Sequence, residues 1–292
     1  MNPDQPDPDS RILVPPALLE ADLEPLLAEP FVQAWARAPQ EVTGAVRSRL
    51  LQRLAASRTE DAPMHTVRRG HAPRETLAPG VQAQGLYRAQ PGLSRGPGEP
   101  LRVRLLELAP GAILPVAALG ALGAEARPGH GEWLVLQGRV QDAVLGIELG
   151  PRDYHVVPAG AGSPTWHTDT GALLFLRESD APALPGDVAY TVRDGEAGWP
   201  EFAPGIRRRV LWQRLGQAAL LYLADPGAQV PLHQHGHTEE CLMVQGELFL
   251  DDLLLQTGDY QLAPAGTRHR VTETDTGAVL YAHGDLDLQF IA

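Results

Sequence analysis

The stretch PLHQHGHTEECLMVQG at residues 231–246 decides the fold and points to a site. In an extended strand, side chains two residues apart share a face, so His233 and His235 both point to one side. Glu239 begins the next strand after a tight turn, on the same side as Cys241. A carboxylate inside an apolar barrel loses several kcal/mol of hydration unless a cation or a donor meets it. We therefore predict a metal ion beside these side chains.

A second stretch, GDYQLAPAGTRH at residues 258–269, supplies a fourth ligand, His269, just after a Pro-x-Gly turn that ends a strand. Three imidazoles and one carboxylate suit Zn, Fe, Mn, Ni or Cu, and the ligand types do not choose among these ions. His237 lies in the turn, which predicts a surface or supporting role for it. Glu240 alternates with Glu239 and is expected to face outward from the barrel.

Composition excludes several classes of function. The net charge is −12 and no long basic run occurs, so direct nucleic-acid binding is not expected. All 24 basic residues are arginines, which excludes a Schiff-base lysine. Cys241 is the single cysteine, so neither an internal disulfide nor a multi-cysteine zinc site can form. There is no signal-peptide pattern and no membrane-length apolar run, which predicts a cytoplasmic protein without membrane contact.

An internal repeat organises the chain. The run WLVLQG at residues 133–138 matches CLMVQG at residues 241–246, and TDTGA occurs identically at residues 168–172 and 274–278. Both copies consist of short strands rich in Val, Leu and Tyr, separated by Gly, Pro and Asp turn signals. This pattern is typical of a β-sandwich or barrel, and the simplest account is two homologous β-domains in tandem.

The repeat gives three segments: an N-terminal segment at residues 1–77, a first β-domain at 78–199 and a second at 200–292. Helical periodicity is confined to the first segment, at residues 16–29 and 41–57. We predict that this segment packs on the first domain, or docks a partner.

The first copy lacks the ligands. Counted from the shared Pro, Ala117 and Leu119 take the places of His233 and His235. Ser163 stands where the second copy has its last histidine. Apolar side chains cannot bind a cation, so we expect the first domain to be a structural half without a metal. The two halves would form an intramolecular pseudo-dimer, and the protein would be a monomer of this kind or a homodimer.

These motifs resemble the cupin superfamily. Its first motif is H-x-H followed by Glu and, six residues later, Gly; its second is Gly, five residues, P-x-G, two residues and His. The matching positions here are His233, His235, Glu239, Gly246, Gly258, Pro264, Gly266 and His269. The resemblance implies an all-β fold of two tandem double-stranded β-helix (jelly-roll) barrels, and it implies His233, His235, Glu239 and His269 as the ligands of one divalent metal ion.

From residue 77 onward the chain is similar to the ChrR-type cupins, through the P-G-V/I opening, P-G-A, H-x-H with E-E, and PAG-x-x-H. The resemblance implies a regulatory protein that senses stress, with zinc as the first choice of metal and an anti-sigma-factor role. Residues 1–77 contain no cysteine, so the zinc site of the family's helical domain is missing. We expect a sigma factor or another protein partner to bind through this segment, and a small molecule or peroxide to bind at the metal.

The alternative is an enzyme. Cupins with three histidines and one glutamate also resemble metal-dependent dioxygenases and isomerases that act on small oxygenated substrates. In such an enzyme the metal would act as a Lewis acid and a template. Pure carbohydrate or storage binding fits the duplication but leaves the intact ligand set unexplained.

Overall fold

A computed structural model describes residues 64–90, 96–120 and 129–291. The described parts are built almost entirely from strands, with two short 3-10 helices at Arg69–His71 and Val116–Leu119. The first twelve strands are β1 His65–Val67, β2 Arg74–Ala78, β3 Val81–Arg88, β4 Pro100–Leu108, β5 Ile113–Leu114, β6 His130–Gly138, β7 Val140–Asp142, β8 Ile147–Leu149, β9 Tyr154–Val157, β10 Trp166–His167, β11 Ala172–Ser179 and β12 Tyr190–Val192.

The remaining strands of the described chain are β13 Glu201–Ala203, β14 Ile206–Arg214, β15 Gln217–Ala224, β16 Gln229–Val230, β17 His233–Gln234, β18 Glu239–Leu250, β19 Leu253–Gln256, β20 Tyr260–Ala263, β21 Arg268–His269, β22 Thr272–Glu273, β23 Ala278–Asp285 and β24 Gln289–Phe290.

Two barrels of the same topology follow each other. In the first, a sheet of order β12-β9-β6-β11-β4-β3-β2 faces a smaller one of order β5-β10-β7-β8. In the second, the path β1-β20-β18-β23-β15-β14-β13 repeats the large sheet, and β21-β17-β24 forms part of the opposite face. The predicted all-β fold of two tandem barrels is confirmed. β2 runs across the boundary expected between residues 77 and 78.

The identical TDTGA motifs make identical turns in the two barrels. Gly111 N donates to Thr168 O at 2.8 Å, and Gly227 N donates to Thr274 O at the same distance. The glycine that ends each matched run lies against this turn: a Cβ on Gly246 would be 2.2 Å from the carbonyl oxygen of Gly277. The two copies of the repeat thus share the residues at which main-chain segments come into close contact.

The short strand that precedes each barrel in the chain pairs with the other barrel. β1 precedes the first barrel but pairs with β20 of the second, whereas β12 precedes the second barrel but pairs with β9 of the first. The sequence analysis did not predict this exchange. The exchange ties the two barrels together by main-chain hydrogen bonds.

The largest apolar cluster lies between the barrels and takes side chains from both. Alternation along each strand sends one set of side chains into its own barrel and the other into this interface. Phe175 and Tyr281, which occupy matching positions in the repeat, pack with ring centroids 4.9 Å apart. Burial of such rings contributes a few kcal/mol each, so the barrels are coupled as one unit.

A charged network lies inside this apolar interface. Arg177 Nε donates to Glu240 Oε1 at 2.7 Å, and its Nη1 donates to Glu132 Oε1 at 2.9 Å. Tyr260 donates to Glu240, while Tyr154 and Tyr281 donate to Glu132. The expectation that Glu240 faces outward was incomplete: the side chain leaves its own barrel but is fully buried against the other one.

The helices predicted at residues 16–29 and 41–57 lie outside the described residues. No helix in the part of the chain that the structure describes has the length and apolar character needed to cross a bilayer.

Candidate metal centre

Strand pairing brings two of the predicted ligands side by side. β17 pairs with β21 so that His233 lies directly opposite His269. Their ring centroids are 5.7 Å apart, and both residues are buried. The Pro-x-Gly turn before β21 positions this pairing, because Gly266 N donates to His235 O at 2.8 Å.

The other two predicted ligands flank the turn between β17 and β18. His235 Nε2 is 3.3 Å from Glu239 Oε2, and the same carboxylate oxygen is 3.7 Å from His269 Nε2. The ligand atoms of His233, His235 and Glu239 all lie within 4.8 Å of one another. Ligands about 2.1 Å from a common ion are separated by such distances, so these three side chains are placed to share one ion. His269 lies beside them and approaches the same carboxylate oxygen, but it is not part of this group of three.

The imidazole nitrogens at this point have no protein partners. Both ring nitrogens of His235 and Nε2 of His269 are buried without a hydrogen bond. Nδ1 of His233 lies 2.9 Å from Pro231 O, and as its donor it leaves Nε2 with a lone pair for a ligand. Buried polar atoms are almost always satisfied, so unpartnered nitrogens around a carboxylate fit a metal ion.

Burial affects the protonation states of the candidate ligands. Metal binding needs neutral imidazoles and a deprotonated carboxylate. Burial lowers the pKa of His235 to about 3 and lowers that of His233, so both are neutral near pH 7. Burial raises the pKa of Glu239 to about 7, because the carboxylate is charged in an apolar surrounding. A cation would offset that cost and favour the charged form.

Two aspartates hold the ligands from behind. Asp251 Oδ2 is 3.3 Å from His269 Nδ1, which leaves Nε2 of that ring facing the centre. Asp285, also buried, accepts from Gly236 N and contacts His237 Nδ1 in the turn between the ligands. His237 therefore supports the turn and stays outside the ligand cluster, as its position predicted. Such partners fix ring orientation and ligand basicity.

Gly284 makes room for the carboxylate. A Cβ at this position would lie 3.2 Å from Glu239 Cα and 3.3 Å from its Cβ and Cγ. Gly284 lies on β23, beside the start of β18. A side chain on β23 here would push Glu239 away from the histidines.

A cavity of about 60 Å³ adjoins the ligands inside the second barrel. Its walls are mainly aliphatic, and no lysine or arginine lines it. Cys241 lines it too, on the same face as Glu239, and its thiol hydrogen-bonds to that carboxylate. Burial raises the pKa of the Cys241 thiol well above its ordinary value, so it is a neutral thiol and not a thiolate.

Sequence reasoning missed the supporting residues. Asp251, Asp285 and Gly284 carry no motif, and only the fold brings them to the ligands. A signal did exist for Glu240: the repeat aligns it with Glu132, and a charged residue that recurs at matching positions next to a buried run indicates a shared interface.

The first barrel has a different arrangement at the matching place. The 3-10 helix at Val116–Leu119 replaces the ligand strand, and Gly131 stands where Glu239 stands in the second copy. Among the described residues, one group of histidine and acidic side chains has ligand atoms close enough for a metal, and it lies in the second barrel.

Comparison with known proteins supports this architecture. Residues 188–287 match the family model described as the ChrR cupin-like domain. No protein with a curated description matches the chain.

Solved structures of cupin proteins share the fold. A candidate dioxygenase from Nostoc punctiforme aligns with a TM-score of 0.59 and 13% identity, covering 78% of this chain and 85% of that one. The Lactobacillus farciminis oxalate decarboxylase, solved as a formate complex, aligns with 0.56 and 14%, covering 80% and 89%. The Bacillus subtilis oxalate decarboxylase, which has Mn(II) centres, aligns with 0.52 and 16%, covering 78% of each chain. At such identities the likeness shows the fold alone.

Proposed function

We propose that this chain, whose residues 188–287 form a ChrR-type cupin domain, is a cytoplasmic metal-binding sensor of stress or of a small ligand, with an anti-sigma-factor-like role. One divalent ion, with zinc as the first choice, would be bound by His233, His235, Glu239 and His269. The observation that supports the proposal is the proximity of the buried ligand atoms of His233, His235 and Glu239, with His269 beside them and with unpartnered imidazole nitrogens, inside a domain of that family.

The surroundings of the site favour sensing over turnover of a charged substrate. The adjoining cavity of about 60 Å³ has room for a few water-sized groups, and no arginine lines it to hold a carboxylate. A small neutral ligand such as a peroxide fits these dimensions. A bound metal would act as a Lewis acid toward such a ligand. The aliphatic walls of the cavity exclude bulk water from it.

The partner is proposed to be a protein, with a sigma factor as the leading candidate, that binds through residues 1–77. Affinity capture with the full chain and with a chain that starts at residue 62, which keeps β1 and β2 in their sheets, tests this. A partner retained only by the full chain supports the proposal, and capture that does not depend on the segment contradicts it.

The second candidate is a cupin dioxygenase or isomerase that acts on a small uncharged substrate, for which the cavity beside the ligands provides a binding space. Metal analysis of protein purified without added metal, followed by oxygen uptake with flavonols, diketones and thiols, separates the two functions. Zinc without turnover supports the sensor. Iron or manganese with oxygen consumption supports the enzyme, and protein that binds no divalent ion contradicts both.

A further inference from the structure

The first barrel has a cavity of about 130 Å³ at the place where the second has its metal ligands. Three of its lining residues stand at the aligned ligand positions of the repeat: Leu119, Gly131 and Ser163. It is larger than the cavity of about 60 Å³ beside the ligands of the second barrel. Small or apolar residues stand at the aligned ligand positions, and the side chains of the described residues leave this space open.

A carboxylate still lines this space, but it comes from the neighbouring strand. Glu178 on β11 lies directly opposite Gly131 on β6. In the second barrel the arrangement is reversed, with Glu239 on the strand that matches β6 and Gly284 beside it on the strand that matches β11. Each barrel thus has one carboxylate and one glycine at the matching position of this strand pair, but the two residue types have exchanged strands between the barrels.

Two arginines hold Glu178, whereas its counterpart Glu239 faces the proposed metal site. Arg102 Nε donates to Oε2 at 2.6 Å and its Nη2 donates to Oε1 at 2.8 Å. Arg104 Nη2 donates to Oε2 at 3.2 Å. All three side chains are buried. Because the guanidinium groups fix the carboxylate, its orientation towards the cavity is set before any ligand enters.

The carboxylate has one acceptor position left. A carboxylate offers about four lone-pair sites, and the three arginine N–H groups use two on Oε2 and one on Oε1 of Glu178. The remaining site accepts a donor from the cavity that Glu178 lines. The described lining also contains apolar side chains, which are Val116, Leu119, Trp133, Val157 and Leu176, and the polar side chains of His130 and Ser163. The cavity therefore combines a fixed carboxylate acceptor with a surface that is partly aliphatic and aromatic and partly polar.

The charge balance selects a neutral ligand. Two guanidinium groups surround one buried carboxylate, and Glu75, which approaches Arg104 Nη1 to 3.9 Å, is mostly exposed. Arg104 Nε is buried without a partner. This positive excess disfavours a cation, whereas the free lone pair of Glu178 disfavours an anion that cannot donate.

We propose that this cavity binds a small neutral molecule with an apolar body and a hydrogen-bond donor at one end, of the class of short-chain alcohols and primary amides. The donor would bind Glu178 and the body would contact the apolar walls. This site is separate from the metal centre and does not depend on the metal.

Four probes of similar size test the proposal: butan-1-ol, butyramide, butyrate and butylammonium. Ligand-observed NMR titration of the full chain should show that the alcohol and the amide bind at least about tenfold more tightly than either ion, since a mispaired buried polar group costs 1–3 kcal/mol. Gly131→Leu should abolish binding by filling the cavity. A Cβ at Gly131 has Trp133 Nε1 at 3.8 Å as its nearest neighbour, so the backbone has space for the change.

Gly195→Leu is the control, because Gly195 is exposed, neither it nor its chain neighbours line the cavity, and nothing lies within 4 Å of a Cβ there. It should retain binding. No binding of any probe by the wild-type chain would mean that the cavity holds water only, and would overturn the proposal. Butyrate binding as tightly as butan-1-ol would do so as well, as would equal binding by the two glycine variants. The comparison of probes on the wild-type chain remains decisive even if Gly131→Leu fails to fold.

Discussion

Replacing Glu239 with Gln should stabilise the metal-free protein at neutral and alkaline pH. Burial raises the pKa of this carboxyl from 4.5 to about 7. Each pKa unit corresponds to about 1.4 kcal/mol, so the difference between the folded and unfolded states amounts to ~3 kcal/mol. Glutamine keeps the shape of the side chain and carries no charge, so Glu239→Gln removes this term.

The sign follows from the direction of the shift. A raised pKa means that the folded, metal-free protein binds a proton at Glu239 more tightly than the unfolded chain does. Its contribution to stability is fully present below pH 4.5 and is lost as the pH rises to about 7. Wild type and Glu239→Gln should therefore have similar stability near pH 4.5, and the variant should be more stable by ~3 kcal/mol at pH 8.

Chemical denaturation in the presence of a chelator, from pH 4.5 to pH 8, measures the difference. Adding zinc should stabilise the wild type and leave Glu239→Gln almost unchanged, because the cation meets the carboxylate that the variant lacks. Glu201→Gln, at an exposed position of the same barrel, is the control and should follow the wild type. Parallel stability curves for wild type and Glu239→Gln would refute the reasoning.

Three further substitutions test the surroundings of the site and the interface. Asp251→Asn weakens the hold on His269 Nδ1, and competition titration should show metal affinity reduced by about ten- to a hundredfold with the fold intact. Gly284→Ala places a methyl group 3.2 Å from Glu239 Cα, and the same titration should show weaker binding, with an overpacking cost of about 1–3 kcal/mol in denaturation. Arg177→Met leaves two buried carboxylates without their shared cation and should lower the free energy of unfolding by about 3–5 kcal/mol.

Each of these changes has its own control. Asp252→Asn alters the neighbouring acid, which contacts Arg270 instead of a ligand, and should leave metal affinity unchanged. Gly162→Ala adds the same methyl group at an exposed site. Adding Glu240→Gln to Arg177→Met should recover part of the lost stability, since one uncompensated charge is removed. If Asp252→Asn weakened metal binding as much as Asp251→Asn, the role of Asp251 would be contradicted. If Gly162→Ala had the same effect as Gly284→Ala, the steric explanation would be wrong. If Glu240→Gln restored no stability to Arg177→Met, the unpaired charge would not be the cause of the loss.

The sequence was enough to predict the architecture and to select residues that the fold brings close together: His233, His235 and Glu239 form one group, and His269 pairs with His233. His233 and His235 are two apart on a strand, and the turn chemistry before His269 has few structural interpretations. The repeat predicted two copies because TDTGA marks a turn in which side-chain and backbone hydrogen bonds are both used. In each copy the glycine of the motif donates to the threonine hydroxyl, at 3.1 Å from Gly171 and at 3.0 Å from Gly277.

What the sequence could not give are contacts between elements far apart in the chain. Parity predicted that Glu240 leaves its barrel, but burial depends on what lies outside, and that is Arg177 from the other half of the protein. The exchange of β1 and β12 is equally invisible, because three-residue strands have no pattern of their own. Asp251 reaches His269 through a left-handed turn at φ 57°, a conformation that an aspartate adopts only in a minority of cases.

The first barrel takes part in building the metal centre although it has lost its own. Glu239 lies between Thr238 and Glu240, and side chains of the first barrel hold both neighbours. Glu99 accepts from Thr238 Oγ1 at 2.9 Å, and Arg177 donates to Glu240 at 2.7 Å. Because the backbone on either side of the ligand is anchored from across the interface, the position of its carboxylate depends on how the two barrels pack. The half that lacks the ligand residues thus contributes to the geometry of the candidate site in the other half.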